Sequence, residues 1–184
     1  MATLGSRPNG PQRPTQNCTT FRTPPDFPPL GYDMACPLRR GTQTIGLFGE
    51  RRVAEDCTCP RCKRSRTLVR LPPKFKCADV ICDFCGYLAQ VKTANVKNIE
   101  TVPKIVLGAA WGPLKERMKA GIYFPMFLVL VAGKDYAIFY LSADLQERQM
   151  FQPRKPLPST ARRFGWRGFL YNLAPVRDHF VRIR

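Results

Sequence analysis

The sequence predicts an α/β domain with a mixed sheet, pinned by a four-cysteine metal site and preceded by a proline-rich arm. Three observations predict it. Apolar runs of strand length alternate with stretches of helical periodicity. Two C-x2-C pairs lie at a spacing that suits one metal ion. Eight of the 18 prolines crowd into the first 42 residues, where they forbid long helices and favour extended chain.

The arm, residues 1–42, carries Pro8, Pro11, Pro14, Pro24, Pro25, Pro28, Pro29 and Pro37 and reads as disordered. The folded domain is expected over 43–184. Residues 43–56 suit a short helix. Val102 to Lys119 has Ile105, Leu107, Ala110, Leu114 and Met118 near helical spacing, with Pro103 in a first turn and Gly121 as a stop. Pro113 interrupts that pattern, which implies a kink or two pieces. Phe124 to Val131 is almost wholly apolar, as a central strand covered on both faces would be. Asp135 to Leu141 follows an Ala-Gly-Lys turn, and Gly168 to Asn172 forms a last strand after a basic segment, Gln152 to Arg167.

Charge narrows the function. The 184 residues hold 30 Lys+Arg against 13 Asp+Glu, a formal charge of +17. Such an excess calls for a polyanionic partner, and nucleic acid fits because each phosphate contact releases counterions. No apolar run is long enough to span a membrane. The N-terminus lacks the apolar core of a secretory signal, so a cytoplasmic location is expected.

Eight cysteines in such a chain favour metal over disulfides. Cys59-Pro-Arg-Cys62 and Cys82-Asp-Phe-Cys85 are separated by 19 residues. Two thiolates on one tight turn reach adjacent corners of a tetrahedron, so the two pairs predict a Zn2+ site. Four thiolates leave no open position for a catalytic water, so the zinc is structural. Gly86 follows the second pair, where the turn wants a positive φ. Cys18, Cys36, Cys57 and Cys77 have no such spacing, although Cys57 and Cys77 lie near enough to compete. Lys63, Arg64, Arg66, Arg70, Lys74 and Lys76 lie between the pairs, either as a solvated face or as phosphate contacts.

Asp79 begins an Asp-Val-Ile run. Gln90 and Lys92, two apart on the next strand, point to one face. An acid, a second oxygen ligand and a lysine on neighbouring strands form a constellation that hydrolyses phosphodiesters with Mg2+. Asp79 and Gln90 would hold the metal and Lys92 would orient water or stabilise charge. A partly exposed strand with solvated side chains is the plain alternative.

Three stretches sharpen this reading: CPRC at 59–62, ADVICDFCGYLAQVKT at 78–93 and QPRKPLPSTARRFGWRG at 152–168. They resemble the methyl-directed restriction endonuclease family of DpnI, over roughly residues 43–175. The resemblance implies a restriction-endonuclease-like PD-(D/E)XK fold with helices flanking the sheet. It places the first catalytic acid on Asp79 and the lysine on Lys92. Gln90 stands where the family has its second acid. An amide oxygen can ligate a metal but brings no charge. A carboxylate from a neighbouring helix, Glu50, Glu55 or Glu116, can substitute. The resembled enzyme continues into a winged-helix domain, whereas this sequence stops at Arg184. Recognition of methylated adenine is therefore expected from the core or from a separate DNA-reading partner.

The third stretch supplies Arg154, Lys155, Arg162, Arg163, Trp166 and Arg167 as candidate DNA contacts. Arginine forks to phosphate or guanine, and tryptophan stacks or wedges at a base, unless it is a core anchor. The lone histidine, His179, suits a surface or packing role. The expected function is Mg2+-dependent cleavage of double-stranded DNA in restriction, with adenine-methylated DNA as the candidate substrate. The alternatives are a catalytically weak DNA-binding module of the same fold and a basic zinc-ribbon protein of transcription or translation.

Overall fold

The computed structural model describes residues 42–73, 75 and 78–184. The predicted arm lies outside the described residues except for Thr42, which opens the first helix. Cys18, Cys36, Lys74, Lys76 and Cys77 also lie outside them.

Helix α1 (Thr42–Asp56) precedes strands β1 (Leu68–Arg70), β2 (Val80–Cys82) and β3 (Leu88–Asn95). Strand β4 (Ile105–Ala110) runs directly into α2 (Trp111–Lys119), followed by β5 (Met126–Ala132) and β6 (Asp135–Leu141). Then come β7 (Phe151–Pro153), β8 (Gly168–Asn172) and β9 (Val181–Arg182), with short 3-10 turns at Arg148–Met150 and Ala174–His179. Six strands form a mixed sheet in the order β1-β2-β3-β5-β6-β9. The β3–β5 pair is parallel and its neighbours are antiparallel. A second antiparallel sheet has the order β4-β8-β7.

The apolar run read from the sequence is the central strand. Met126 to Val131 are all buried. Met126, Leu128 and Leu130 join one core with Leu114, Met150, Phe151, Phe169 and Tyr171, beneath the second sheet and α2. Phe127, Val129 and Val131 join another with Val53, Val80 and Val91, beneath α1. Each buried Leu, Phe or Val contributes about 1.5–3 kcal/mol, and β5 supplies both cores. Asp135–Leu141 and Gly168–Asn172 form the strands expected of them. Gly133 takes φ 64° in the turn before β6.

The stretch 102–119 departs from its expected helix. Residues 105–110 form β4, paired with β8. Val106 is buried while Ile105 and Leu107 are exposed, so the alternation has a period of two. Ile105, Leu107 and Ala110 satisfied helical spacing by coincidence, whereas Leu114 and Met118 lie in α2 as expected, so the stretch does fall into two pieces. Gly108 also fixes the packing, because a Cβ there would lie 2.5 Å from the Phe169 ring. Pro113 stands in the first turn of α2, where its missing N–H has no helical partner.

Helix α1 lies on β3 along Gly49 and Val53. A Cβ at Gly49 would meet Thr93 Oγ1 at 1.9 Å, so glycine sets how closely helix and strand approach. In an ordinary helix Gly→Ala is favourable by about 1 kcal/mol. Here Gly49→Ala is expected to destabilise by about 1–3 kcal/mol, and by less in a Thr93→Ala background. Urea unfolding of the four variants of that cycle measures both effects.

Candidate active site and nucleic-acid interface

The Sγ atoms of Cys59, Cys62, Cys82 and Cys85 all lie within 4.8 Å of one another. Cys59 Sγ is 3.6 Å from Cys85 Sγ, and Cys62 Sγ is 3.7 Å from Cys82 Sγ. A zinc–sulfur bond of about 2.3 Å at tetrahedral corners needs sulfurs about 3.8 Å apart, so the four thiols lie close enough to hold a metal such as zinc. The backbone makes two matching turns. Lys63 N–H donates to Cys59 O and Gly86 N–H to Cys82 O, each at 2.9 Å. Gly86 has the positive φ expected of it, 70°, and Lys63 occupies the equivalent place at 61°. Cys57 is buried and stands outside the group. Burial, reinforced by the charge of Asp56, pushes its thiol up to about 12, so it remains protonated. Arg64 lays its guanidinium 3.6 Å from the centre of the Phe84 ring, tying one turn to the other.

The second cysteine pair belongs to the β2–β3 hairpin, which also carries the predicted catalytic residues. Strand β2 pairs with β3 through Val80↔Ala89 and Ile81↔Leu88. Where the ladder ends, the Asp79 side chain takes over. Its Oδ2 accepts the Val91 N–H at 2.8 Å. The same oxygen lies 3.6 Å from Lys92 Nζ. Lys92 also donates to Val91 O at 3.1 Å, with its side chain only 20% exposed. Burial alone would lower the lysine's pKa. Tyr171, Asp79 and Glu50 outweigh that, and the pKa is raised, so the ammonium is held charged.

Glu50 is the helix carboxylate that reaches this group. Burial and the charge of Asp79 raise its pKa, while Arg70 and Lys92 pull it down less strongly. Arg70 Nε lies 3.3 Å from Glu50 Oε2. The other two acids weighed in the sequence are engaged elsewhere. Glu55 pairs with Arg51 and Arg52 on the outer face of α1, and Glu116 with Lys119 on exposed α2. A partly buried Glu50 carboxylate that feels the charge of Asp79, beside a charged lysine, makes a place where a cation would relieve repulsion.

Gln90 shares a strand face with Lys92, as expected, but has its own partners. The amide orientation follows from them. Its oxygen accepts from both terminal nitrogens of Arg117, at 3.0 and 3.2 Å, and its nitrogen donates to the Tyr171 hydroxyl at 3.0 Å. Tyr171 is 2% exposed. Burial raises the pKa of its phenol although Lys92 and Arg117 oppose this. Arg117 comes from α2 and Tyr171 from β8. Neither was singled out from sequence.

The basic stretch links β7 to β8. Arg154 N–H donates to Gly168 O at 3.0 Å, Leu157 N–H to Trp166 O at 2.9 Å, and Arg167 Nε to Arg154 O at 2.7 Å. Arg154, Lys155, Arg162, Arg163 and Arg167 are exposed. Trp166 is half-buried, with its ring against Gly168, where a Cβ would lie 2.9 Å away. Arg163 stacks on it at 4.6 Å. Trp166 therefore braces the base of the loop. His179 is exposed, at the end of its 3-10 turn. No helix among the described residues is long and apolar enough to cross a membrane.

A comparison against family models gives a match for the chain. Residues 31–182 match the model described as "DpnI: Dam-replacing family". The chain belongs to this family. Membership associates a DpnI-family chain with restriction endonucleases and so with DNA. No curated protein matches it.

Elemental analysis of the purified chain is expected to find one equivalent of zinc. Cys57→Ser should retain the metal and Cys82→Ser should lose it. Retention in Cys82→Ser would show that the sulfurs do not act as one site.

Proposed function

We propose that this DpnI-family chain is a Mg2+-dependent endonuclease of double-stranded DNA, directed to adenine-methylated sites. A single observation carries the reading: Asp79 Oδ2 lies 3.6 Å from the charged Lys92, and the partly buried Glu50 carboxylate feels the charge of both. Asp79 and Glu50 would hold the metal, with Glu50 supplying the charge that Gln90 lacks. Gln90 offers a neutral oxygen on the same face, kept in place by Arg117 and Tyr171. When bound, Mg2+ polarises the phosphoryl oxygen and lowers the pKa of a water. Lys92 orients that water and stabilises the negative charge that grows on the phosphate. The zinc of the four cysteines is structural, and the β7–β8 loop holds the duplex through its phosphates.

The arrangement around Gln90 favours one competing reading, a DNA-binding module without cleavage, because the amide oxygen already serves Arg117. Methylated and unmethylated plasmid incubated with Mg2+ or Mn2+ separates the two. Cleavage of methylated plasmid is expected, and Lys92→Ala should slow it by about 10²–10³-fold or more. Binding without cleavage would overturn the nuclease reading. Cleavage untouched by Lys92→Ala would overturn the site.

Glu50 gives a further check with no turnover involved. Its raised pKa means that the folded state binds its proton more tightly than the unfolded chain does. Its ionisation therefore costs stability as pH rises through that window. Metal-free Glu50→Gln is expected to melt higher than the wild type at pH 7. That gain should shrink as pH falls below the raised pKa. The same variant should bind Mg2+ about tenfold more weakly by calorimetry, the loss of one charged oxygen ligand.

A further inference from the structure

The basic loop carries an aromatic that the reading above does not use. Phe164 is 71% exposed, more than any other large hydrophobic residue among those described. Phe84 and Phe75 are next among the aromatics at 56% and 50%, and Phe84 already bears Arg64 on its ring. Among the described residues, no ring or guanidinium stacks on Phe164.

Its position is built rather than loose. Trp166 N–H donates to Arg163 O at 3.0 Å, and Gly165 has φ 73°. A four-residue turn with a positive φ at its third residue is the type II pattern, and Phe164 stands at its second, outermost position. Gly165 N–H also donates to Leu157 O at 3.2 Å, so the turn is tied across the loop. Trp166 anchors it against Gly168. An apolar ring of this size is thus presented to solvent on a fixed turn, with Arg162 and Arg163 before it and Arg167 after it, all exposed.

The surrounding cations decide the kind of partner. A protein-docking phenylalanine is favoured amid an apolar patch with few charges, whereas here three exposed arginines stand beside the ring in a loop that carries two more exposed cations. Phosphates neutralise such cations, and the faces of bases are the apolar surface that lies between two rows of phosphates. Apolar side chains inserted between base steps are a known way for basic loops to grip and bend a duplex.

We infer that Phe164 is a base-stacking wedge, inserted at a base step of bound DNA while the loop cations line the phosphates. This rests on the DNA-binding part of the proposed function. It also separates two roles that the sequence left on Trp166 alone: Trp166 braces the loop and Phe164 meets the bases.

The test uses the full chain without added divalent metal, a short labelled duplex, and the same duplex with one abasic site. The wild type should prefer the abasic duplex, because its step is already unstacked. Phe164→Ala should weaken binding to the intact duplex by about tenfold, the order expected for one base–aromatic stack, and erase that preference. Phe164→Trp should restore both. The salt dependence should not change in Phe164→Ala, whereas Arg162→Ala should reduce its slope by about one. Equal binding by wild type and Phe164→Ala overturns the wedge, as does an abasic preference that survives the substitution. A change confined to self-association on size exclusion, with DNA affinity intact, also overturns it. A wild-type chain that binds neither duplex removes the DNA-binding reading itself.

Discussion

Two backbone pairs hold β2 to β3, Val80↔Ala89 and Ile81↔Leu88, and the candidate site depends on that short ladder. An isolated two-stranded hairpin is marginal in water even when longer. Both of its ends are reinforced. Beyond Cys82, the sulfurs of Cys82 and Cys85 meet those of Cys59 and Cys62. At the other end, Asp79 puts its own carboxylate on the Val91 N–H. The cysteine cluster also joins the hairpin to the segment just after α1, the helix that brings Glu50. One metal at this cluster therefore constrains both strands and the helix. Losing it would disturb the geometry of the candidate site although no sulfur is paired with Lys92.

The electrostatics of the site run against stability. Burial and the charge of Asp79 raise the pKa of Glu50, and Arg70 with Lys92 offsets only part of this. A folded chain that spent this energy on stability alone would replace one acid with a neutral residue. The sequence does so at Gln90, and there Arg117 and Tyr171 take the amide into a satisfied network. Gln90 and Glu50 thus have opposite characters. One is a neutral amide with hydrogen-bond partners, and the other is an acid whose ionised form is disfavoured by burial and by the charge of Asp79. This contrast is why Glu50, rather than Gln90, carries the charge in the proposed metal site.

Legibility in the sequence followed the range of the interaction. The two C-x2-C turns are local, and so were Gly86, the β5–β6 pair and the two-residue spacing of Gln90 and Lys92. Strand β4 was misread because Ile105, Leu107 and Ala110 can be fitted to the helical period of Leu114 and Met118 while belonging to a strand paired with β8. Only the partner strand decides between the two. Tyr171 and Arg117 lie 81 and 27 residues from Gln90 and reach it through the β3–β5 register, the second sheet and α2. No local pattern encodes that. Glu50 was one of three acids open from sequence. The choice among them rests on the ion pair of Glu50 with Arg70 and its electrostatic coupling to Asp79 and Lys92, which only the folded chain brings together.

Strand β8 joins the two halves of the proposed function. Its first residue, Gly168, receives the Trp166 ring that braces the basic loop. Its fourth, Tyr171, bonds the Gln90 amide beside Lys92. The strand between them is buried at Phe169 and paired on both sides, with β4 and β7. A loop hung on a mobile segment would hold DNA without fixing it relative to the chemistry. Here the loop leaves directly from a strand whose other end is part of the site. Contacts made by the loop to phosphates or bases are therefore held in register with Lys92 by packed core rather than by chain alone. That is the arrangement phosphodiester hydrolysis needs, because its rate depends on where the scissile phosphate rests more than on how tightly the duplex is held.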